Sequence, residues 1–254
     1  DSFLATSCAA SDSVVISINP LPTPNAGSDN TICNGGSSNI GSSATSGHTY
    51  SWTSSPSGYS STSANPSVSP TTTTTYYLTE TITSTGCSNS DTVKITVNPL
   101  PAAGHATSQA ICTGSNLNIG ATAVSGHSYT WTSNPSGFTS TQANPNVSPT
   151  VTTTYYLTDT NSITLCTKSD SLVITVNPLS APNAGSDATI CKGGSTAIGS
   201  TAVGGRTYSW TSSPSGPTST SSNPTVSPTT TTTYYMQETI TATGCSNWDT
   251  VIVT

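Results

Sequence analysis

The sequence carries very little charge. Charged residues make up 6% of its 254 residues, and only four residues are basic. A nucleic-acid partner needs clustered Lys and Arg to neutralise phosphates, and these four are scattered along the chain. We therefore expect no nucleic-acid partner, and we expect solubility to come from the many Ser and Thr hydroxyls or from groups attached to them. The basic residues are Lys94, Lys168, Lys192 and Arg206.

Long hydrophobic runs are also missing. No apolar stretch approaches the roughly 18 residues that a transmembrane helix needs, so no membrane span is expected in this segment. The given sequence opens at Asp1 within a recognisable repeat, so we expect any signal peptide to lie outside it. We expect Asp1 to be a processing site or the edge of a longer sequence.

A catalytic constellation is lacking too. A hydrolase triad needs one Ser, one His and one acid that converge, but the candidates here recur in every repeat or in none. His48 and His127 share one repeat position, which Arg206 takes in the third copy, and they are predicted to be loop residues. We predict a protein without enzymatic activity and without a cofactor.

Acidic residues recur at two positions, which leaves calcium as a weaker alternative. Calcium prefers six to eight oxygen ligands, and two carboxylates in each repeat supply few of them. Asp29 and Asp187 add a third carboxylate in two copies, whereas the middle copy has Ser108. The first series is Asp1, Glu80, Asp159 and Glu238, and the second is Asp12, Asp91, Asp170 and Asp249.

The sequence does contain a regular repeat, which has to be recognised before the fold is assigned. Cys33, Cys112 and Cys191 are spaced by 79 residues, because 112−33 and 191−112 both give 79. The same step relates Cys8, Cys87, Cys166 and Cys245. We assign repeat 1 to residues 20–98, repeat 2 to 99–177 and repeat 3 to 178–254, with residues 1–19 as the closing strands of a preceding or partner repeat.

Each repeat reads as a series of short strands. In His48–Trp52 the two-residue period places Tyr50 and Trp52 on one face, and residues 91–97 alternate in the same way. About seven short strands with a Trp on the third are typical of an immunoglobulin-like β-sandwich. We predict an all-β fold of tandem immunoglobulin-like domains arranged end to end. The predicted core residues are Trp52, Trp131, Trp210, Tyr50, Tyr129 and Tyr208.

The repeat contains several short motifs, which include Asn25-Ala-Gly-Ser-Asp, Ile32-Cys-Asn-Gly-Gly, Thr75-Tyr-Tyr-Leu and Asp91-Thr-Val. These motifs resemble those of the PKD/Ig-like repeats of secreted and gliding-associated surface proteins of Bacteroidota. The resemblance covers the whole chain and implies an extracellular or cell-surface location. It is less informative about function, because such modules serve as stalks, adhesins and enzyme appendages.

The same resemblance suggests sites of modification. The second acidic series is followed in every copy by Ser or Thr and then an aliphatic residue, which resembles the O-glycosylation signal of exported Bacteroidota proteins. The alternative is an Asp that caps the hairpin turn, followed by a Ser or Thr that faces solvent. The candidate acceptors are Ser13, Thr92, Ser171 and Thr250.

The cysteines are expected to form disulfides, because an exported protein favours them and the spacing lacks the CxxC pairs of a zinc site. A Cys8–Cys33 bond is disfavoured, since two consecutive strands of roughly 50 Å separate the two cysteines and a disulfide requires Cα atoms within about 7 Å. Two pairings remain open. One joins Cys33 to Cys87 within a repeat, and the other joins the first turn of one repeat to the last hairpin of the next.

The second pairing would give Cys33–Cys166 and Cys112–Cys245, with Cys8 paired outside the sequence. In either case six cysteines are predicted to pair: Cys33, Cys87, Cys112, Cys166, Cys191 and Cys245.

The sequence therefore predicts a structural extracellular protein. Tandem domains with short Pro-containing linkers have little freedom at their joints, so we expect a rod or filament that acts as a surface fibre or adhesin stalk. Its expected partners are copies of itself or further repeats, joined end to end. Residues 1–19 suggest that strand addition to a neighbouring molecule contributes. The alternative is a carbohydrate- or ice-binding accessory module. Its only support is the Thr runs at Thr71–Thr75 and Thr229–Thr233, which Val151 interrupts in the middle copy.

Overall fold

The computed structural model describes residues 11–254, which divide into two compact units. Unit 1 runs to Leu100, and unit 2 covers Pro101–Thr254. Each predicted repeat contains one hydrophobic cluster: repeat 1 lies in unit 1, and repeats 2 and 3 lie in unit 2.

The described part of unit 1, residues 11–100, contains six strands. They are β1 (Asn30–Cys33), β2 (Ser38–Asn39), β3 (His48–Ser55), β4 (Ser67–Val68), β5 (Thr74–Ile82) and β6 (Ser88–Asn98). One sheet has the order β1-β6-β5-β3, in which β1 runs parallel to β6 and the other pairs are antiparallel. β2 and β4 form a second, two-stranded sheet.

Repeat 2 has the same plan with seven strands. They are β7 (Gln109–Cys112), β8 (Leu117–Asn118), β9 (His127–Asn134), β10 (Thr139–Ser140), β11 (Asn146–Val147), β12 (Thr153–Asn161) and β13 (Thr167–Asn177). The larger sheet has the order β10-β9-β12-β13-β7, and β11 pairs with β8. The short strand β10 pairs with β9 at the edge of this sheet. In repeat 1 the equivalent pairing is a single bridge between Trp52 and Ser61.

Repeat 3 has five strands. They are β14 (Thr196–Ala197), β15 (Arg206–Ser213), β16 (Thr225–Val226), β17 (Thr232–Ile240) and β18 (Ser246–Val253). The sheets are β15-β17-β18 and β14-β16. A parallel bridge between Ala188 and Val253 takes the place of the β1–β6 pairing of repeat 1.

The core of each repeat forms around its tryptophan. Trp52 is 1% exposed and its indole N–H donates to the Ser63 carbonyl at 2.9 Å, which satisfies the polar end of a buried ring. A Cβ added at Gly41 would lie 2.1 Å from the Ala64 carbonyl oxygen. Only glycine fits there, because the backbone beside the indole is packed too closely for any side chain.

The same arrangement recurs in the other two repeats. Trp131 and Trp210 are buried, and they donate to the Gln142 and Ser221 carbonyls. Tyr129 and Tyr208 are buried as well, whereas Tyr50 is partly buried and packs against its cluster.

The structure confirms the predicted all-β class of tandem immunoglobulin-like domains. Strands account for all the regular secondary structure in residues 11–254. In the same residues, no helix is long and apolar enough to span a membrane.

The segment before repeat 1 differs from its prediction. Residues 11–19 repeat the alternation of β6, but they form no strand in the structure, and Val14, Ile16 and Ile18 are at least 80% exposed. The physical reason is that a strand needs a partner strand and a core to cover, and each described repeat already has its own closing strand. The predicted strands in residues 1–10 lie outside the described residues.

Candidate functional sites: the inter-repeat disulfide, the buried ion pairs and a recurring groove

A disulfide joins repeat 2 to repeat 3. Cys112 ends β7 at the first turn of repeat 2, which we define as residues 112–115, and Cys245 ends the closing hairpin of repeat 3, residues 241–245. Their Cα atoms are 5.5 Å apart, within the normal range, although 133 positions separate them in sequence. This bond belongs to the inter-repeat pairing. Pairing within the repeat, which would join Cys112 to Cys166, is absent there.

The other described cysteines divide into two groups. Cys33 and Cys166 are also disulfide-bonded, and the Cys33–Cys166 pairing stays a prediction. Cys87 and Cys191 are free thiols in the described part of the chain. Because Cys87 is free, a Cys33–Cys87 bond is ruled out in this structure, and the prediction that Cys87 and Cys191 form disulfides stays a prediction about partners outside residues 11–254 of one molecule.

The inter-repeat pairing itself explains the two free thiols. It joins a first turn to the closing hairpin of the following repeat, so Cys191 needs a following repeat and Cys87 needs a preceding one. Residues 20–254 contain neither. Cys8, which was predicted to pair outside the sequence, lies outside the described residues.

The first acidic series forms a buried ion pair in each repeat. His48 Nδ1 lies 2.6 Å from Glu80 Oε1, and His127 Nδ1 lies 2.8 Å from Asp159 Oδ1. In repeat 3 the Arg206 guanidinium contacts Glu238. The carboxylate side chains are at most 7% exposed, and a buried carboxylate requires such a partner.

These pairs correct the sequence interpretation of the histidines. His48 and His127 are the first residues of β3 and β9, not loop residues, and each faces an acid 32 positions later on the neighbouring strand. The sequence did not predict these pairs, because a position that holds His in two repeats and Arg in the third was interpreted as unconstrained. All three side chains supply a nitrogen to the first-series acid of their own repeat.

The second acidic series fixes the start of each repeat to its last strand. Asp91 Oδ2 accepts the Ala26 N–H at 2.8 Å, and Asp249 Oδ2 accepts the Ala184 N–H at 2.8 Å. These carboxylates lie within β6 and β18, so the expected role as caps of the hairpin turn is wrong. The contacts span 65 residues and therefore gave no local sequence signal.

The third acidic position has a similar role. Asp29 accepts the Lys94 N–H, and Asp187 accepts the Ile252 N–H. In repeat 2 the Ser108 hydroxyl accepts the equivalent Val173 N–H at 2.9 Å. A hydroxyl can replace the carboxylate because only one acceptor oxygen is needed, which is a backbone-fixing role rather than a metal-ligand role.

Repeat 2 modifies the second series with a histidine. Its equivalent of Ala26 is His105, whose Nε2 lies 3.2 Å from Asp170 Oδ2. The Ser171 N–H bond, the His105 hydrogen bond and nearby positive charge lower the pKa of Asp170. Among the described residues, no group of three or more His, Cys, Asp and Glu side chains is placed to hold a metal ion.

The predicted acceptors of O-glycans lie at the surface. Ser13, Thr92, Ser171 and Thr250 are all exposed. In the three repeats the side chain precedes an inward-facing aliphatic residue on the closing strand, so its hydroxyl points outward. Modification of these residues stays a prediction.

Each repeat also has a shallow groove beside its aromatic residues. In repeat 1 it has a volume of about 420 Å³ and is lined by Ser54, Pro56, Tyr59, Thr72 and Tyr76, among others. The Tyr59 and Tyr76 rings meet edge to face with centroids 5.1 Å apart. Phe138 and Tyr155 form the same pair in repeat 2, and Pro217 replaces the first aromatic in repeat 3.

Part of the Thr run next to this groove serves the fold. Thr74 is buried and donates its hydroxyl to the Thr72 carbonyl, and the Thr73 hydroxyl accepts the Val97 N–H. Thr71 and Thr72 lie in a bend before β5. The run therefore does not form the flat, regular face that ice binding would require.

Comparison with known proteins agrees with the observed fold. Residues 21–99 match the family described as "Ig-like domain CHU_C associated". No curated protein matches the chain. Among solved structures, the I-band fragment I67–I69 of titin is 12% identical, covers 92% of this chain and 99% of its own, and gives a TM-score of 0.40.

Two further structures are similar in the same way. Extracellular domains 3–5 of Drosophila OTK are 10% identical over 92% of this chain and 95% of their own, with a TM-score of 0.33. The three N-terminal domains of the bacteriophage RB49 outer capsid protein Hoc are 12% identical over 86% and 93%, with a TM-score of 0.36. The described residues of this chain form tandem immunoglobulin-like domains with disulfides, an arrangement typical of extracellular proteins.

Proposed function

We propose that this chain is part of a secreted or surface-exposed rod, which acts as a surface fibre or adhesin stalk of the gliding-associated kind found in Bacteroidota. The observation that carries the proposal is the Cys112–Cys245 disulfide, because it crosslinks two successive repeats. Such a crosslink limits the movement of one repeat relative to the next, which suits a load-bearing shaft.

The low charge and the oxidised cysteines support the same proposal. Disulfides persist outside the cytoplasm, and a surface rich in hydroxyls and poor in charge suits an exposed structural protein. The chain brings together no catalytic constellation in its described residues, and its ion pairs serve to compensate buried acids.

The test is whether the disulfide stiffens the joint between repeats 2 and 3. Small-angle X-ray scattering of Cys112→Ser should show a broader distribution of dimensions than the oxidised wild type. Its unfolding free energy should fall by about 2–5 kcal/mol, because the chain loses a crosslink that closes a long loop. Cys191→Ser is the matched control, since it removes a free thiol and leaves the joint intact.

Identical scattering by the wild type, the reduced wild type and Cys112→Ser would contradict the proposal. The two repeats would then be held rigid, or left free, regardless of the disulfide, and the bond would have no role in a shaft.

The recurring groove favours carbohydrate binding as a second candidate function. Hydroxyls and an aromatic pair line it in repeats 1 and 2, and sugars bind to such a combination of polar groups and ring faces. A glycan array with the whole chain should then give saturable binding that Tyr59→Ala and Phe138→Ala together abolish. Pro217→Ala is the control, because repeat 3 lacks the aromatic pair. Absence of saturable binding would leave only the structural role.

A further inference from the structure

Cys87 and Cys191 lie at repeat positions equivalent to those of Cys245 and Cys112, whose disulfide joins repeat 2 to repeat 3. Cys191 is one period after Cys112, since 191−112 is 79, and Cys87 is two periods before Cys245, since 245−87 is 158. Cys112 and Cys245 are bonded to each other, whereas Cys87 and Cys191 are free.

The first turn of repeat 3 holds Cys191 as repeat 2 holds Cys112. The Gly194 N–H donates to the Cys191 carbonyl at 2.8 Å, and the Ser115 N–H donates to the Cys112 carbonyl at 3.0 Å. The turn at Cys191 therefore needs no rearrangement to form the same bond. The Cys191 thiol belongs to an exposed residue.

The closing hairpin of repeat 1 is almost a copy of the hairpin that carries Cys245. Residues 83–88 read Thr-Ser-Thr-Gly-Cys-Ser, and residues 241–246 read Thr-Ala-Thr-Gly-Cys-Ser. The Ile82 N–H donates to the Cys87 carbonyl at 2.9 Å, and the Ile240 N–H donates to the Cys245 carbonyl at 2.9 Å.

The two hairpin cysteines, Cys245 and Cys87, differ in their exposure to solvent. Cys245 is 0% exposed where it is bonded to Cys112, whereas Cys87 is partly exposed. The hairpin around Cys87 carries no charged residue, so Lys192, next to Cys191, would meet no like charge there. Cys87 is thus more accessible than Cys245, and its hairpin holds no charge that would oppose the approach of Lys192.

Only one of the described cysteines can complete the joint at Cys191. The joint requires a cysteine in a closing hairpin, and Cys166 and Cys245 are already disulfide-bonded. Cys87 is the free closing-hairpin cysteine among the described residues, and a joint of the observed kind would bring it to Cys191 from repeat 1 of a second copy of this chain.

We infer that Cys191 of one molecule forms a disulfide with Cys87 of a second copy, which stacks repeat 1 of that copy beyond repeat 3 of the first. This inference rests on the proposed structural function and extends it from a crosslinked chain to a covalent head-to-tail fibre. In a dimer of two chains of this sequence, one Cys87 and one Cys191 would remain free, so the same bond could add further copies.

The reaction is a two-electron oxidation of two thiols. A small-molecule or protein disulfide acts as the oxidant: a thiolate attacks one of its sulfurs and forms a mixed disulfide, and the second cysteine displaces the remaining thiol. One S–S bond forms between Cys191 and Cys87, the oxidant is reduced to two thiols, and the two cysteine protons pass to these thiols through the solvent.

The test uses complementary variants of the whole chain, each with Cys8→Ser to remove the undescribed cysteine. Oxidised glutathione should convert the chain with both Cys87 and Cys191 into a ladder on a non-reducing gel, and reductant should collapse the ladder to one band. A mixture of the Cys87→Ser and Cys191→Ser variants should stop at a covalent dimer, and each variant alone should stay monomeric.

Peptide mapping identifies the bond in the dimer. A linked peptide that contains Cys191 and Cys87 is expected. Dimers of a single variant, which require Cys191–Cys191 or Cys87–Cys87 bonds, would overturn the inference. So would a monomer that persists under oxidation while circular dichroism shows the folded chain, or a Cys191–Cys8 peptide from the wild type.

One further variant separates this inference from the proposed function. The double variant Cys87→Ser/Cys191→Ser should stay monomeric, and its scattering before and after reduction tests the disulfides within one chain without any bond between molecules. If reduction loosens this monomer and no ladder forms, the rod stands and the fibre joint fails. If the ladder forms and reduction leaves the monomer unchanged, the fibre joint stands and the stiffening role of the internal disulfide fails.

Discussion

At the scale of single residues, the repeats differ most where a side chain fixes the start of a repeat to its closing strand. Asp91 and Asp249 accept a backbone N–H from the opening segment, whereas Asp170 instead pairs with the His105 side chain. Repeat 2 thus replaces a bond to the backbone with a bond between side chains. The contact between the start of repeat 2 and its closing strand therefore depends on the charges of His105 and Asp170.

The lowered pKa of Asp170 predicts a pH dependence of stability. The Ser171 N–H and His105 favour the ionised carboxylate in the folded state. The resulting stabilisation is therefore present above the unfolded pKa near 3.9 and is lost as the pH falls through the lower, folded pKa. Asp170→Asn should destabilise the protein in urea unfolding at pH 7, and the difference from the wild type should shrink below about pH 4.

His105→Ala is the matched variant for this prediction, because Ala26 and Ala184 occupy the same position. It should raise the pKa of Asp170 but leave it below the usual value, since the Ser171 N–H bond remains. An Asp170→Asn penalty of equal size at pH 2 and pH 7 would show that the carboxylate charge is not involved.

At the scale of elements, the closing hairpins show how the sequence sets a turn. Gly86 and Gly244 adopt positive φ angles of 72° and 71°, and the same position in repeat 2 is Leu165 with φ of 58°. The Leu165 side chain is 73% exposed, so it gains little burial to offset the strain. A left-handed conformation costs a residue with a Cβ about 1–2 kcal/mol.

Leu165→Gly is expected to stabilise the protein. Relief of the left-handed strain exceeds the added flexibility of the unfolded chain, which costs about 0.4–1 kcal/mol, so we expect a net gain of about 0.5–1 kcal/mol. Chemical denaturation measures it. Gly244→Ala is the reciprocal variant and should destabilise, and a stabilising Gly244→Ala would contradict the argument.

The elements also show how much the sequence alone could predict. The alternation of residues 91–97 identified β6, because side chains of a strand alternate between core and solvent within a few positions. The Glu80 and Asp91 partners could not be predicted in this way, since they lie 32 and 65 positions away and are set by strand pairing. The choice between two cysteine pairings likewise required the position of one repeat relative to the next.

At the scale of the whole molecule, the predicted glycans occupy equivalent positions in every repeat. Thr92, Ser171 and Thr250 are exposed on the outward face of the closing strand, and Ser13 continues the same period. With charged residues at only 6%, attached sugars would supply much of the hydration of this surface. Glycans would therefore make the protein more soluble without altering its core.

Mass spectrometry of native material tests this prediction. We expect an intact mass above the 25.6 kDa of the polypeptide, and glycopeptides that carry the sugar at the four motif residues. In the producing cell, Thr92→Val should remove one site, and Thr53→Val, an exposed strand residue without the preceding Asp, should remove none. A native mass equal to that of the bare chain would contradict the assignment.

The Cys112–Cys245 bond also determines how the chain responds to tension. A force applied to the two ends passes through this bond, so the residues between the two cysteines cannot be stretched while it is intact. Those 133 positions correspond to about 450 Å of extended chain, at roughly 3.4 Å per residue, that stays stored. Reduction would release this length, so the redox state of the surroundings would set how far the molecule can lengthen before it breaks.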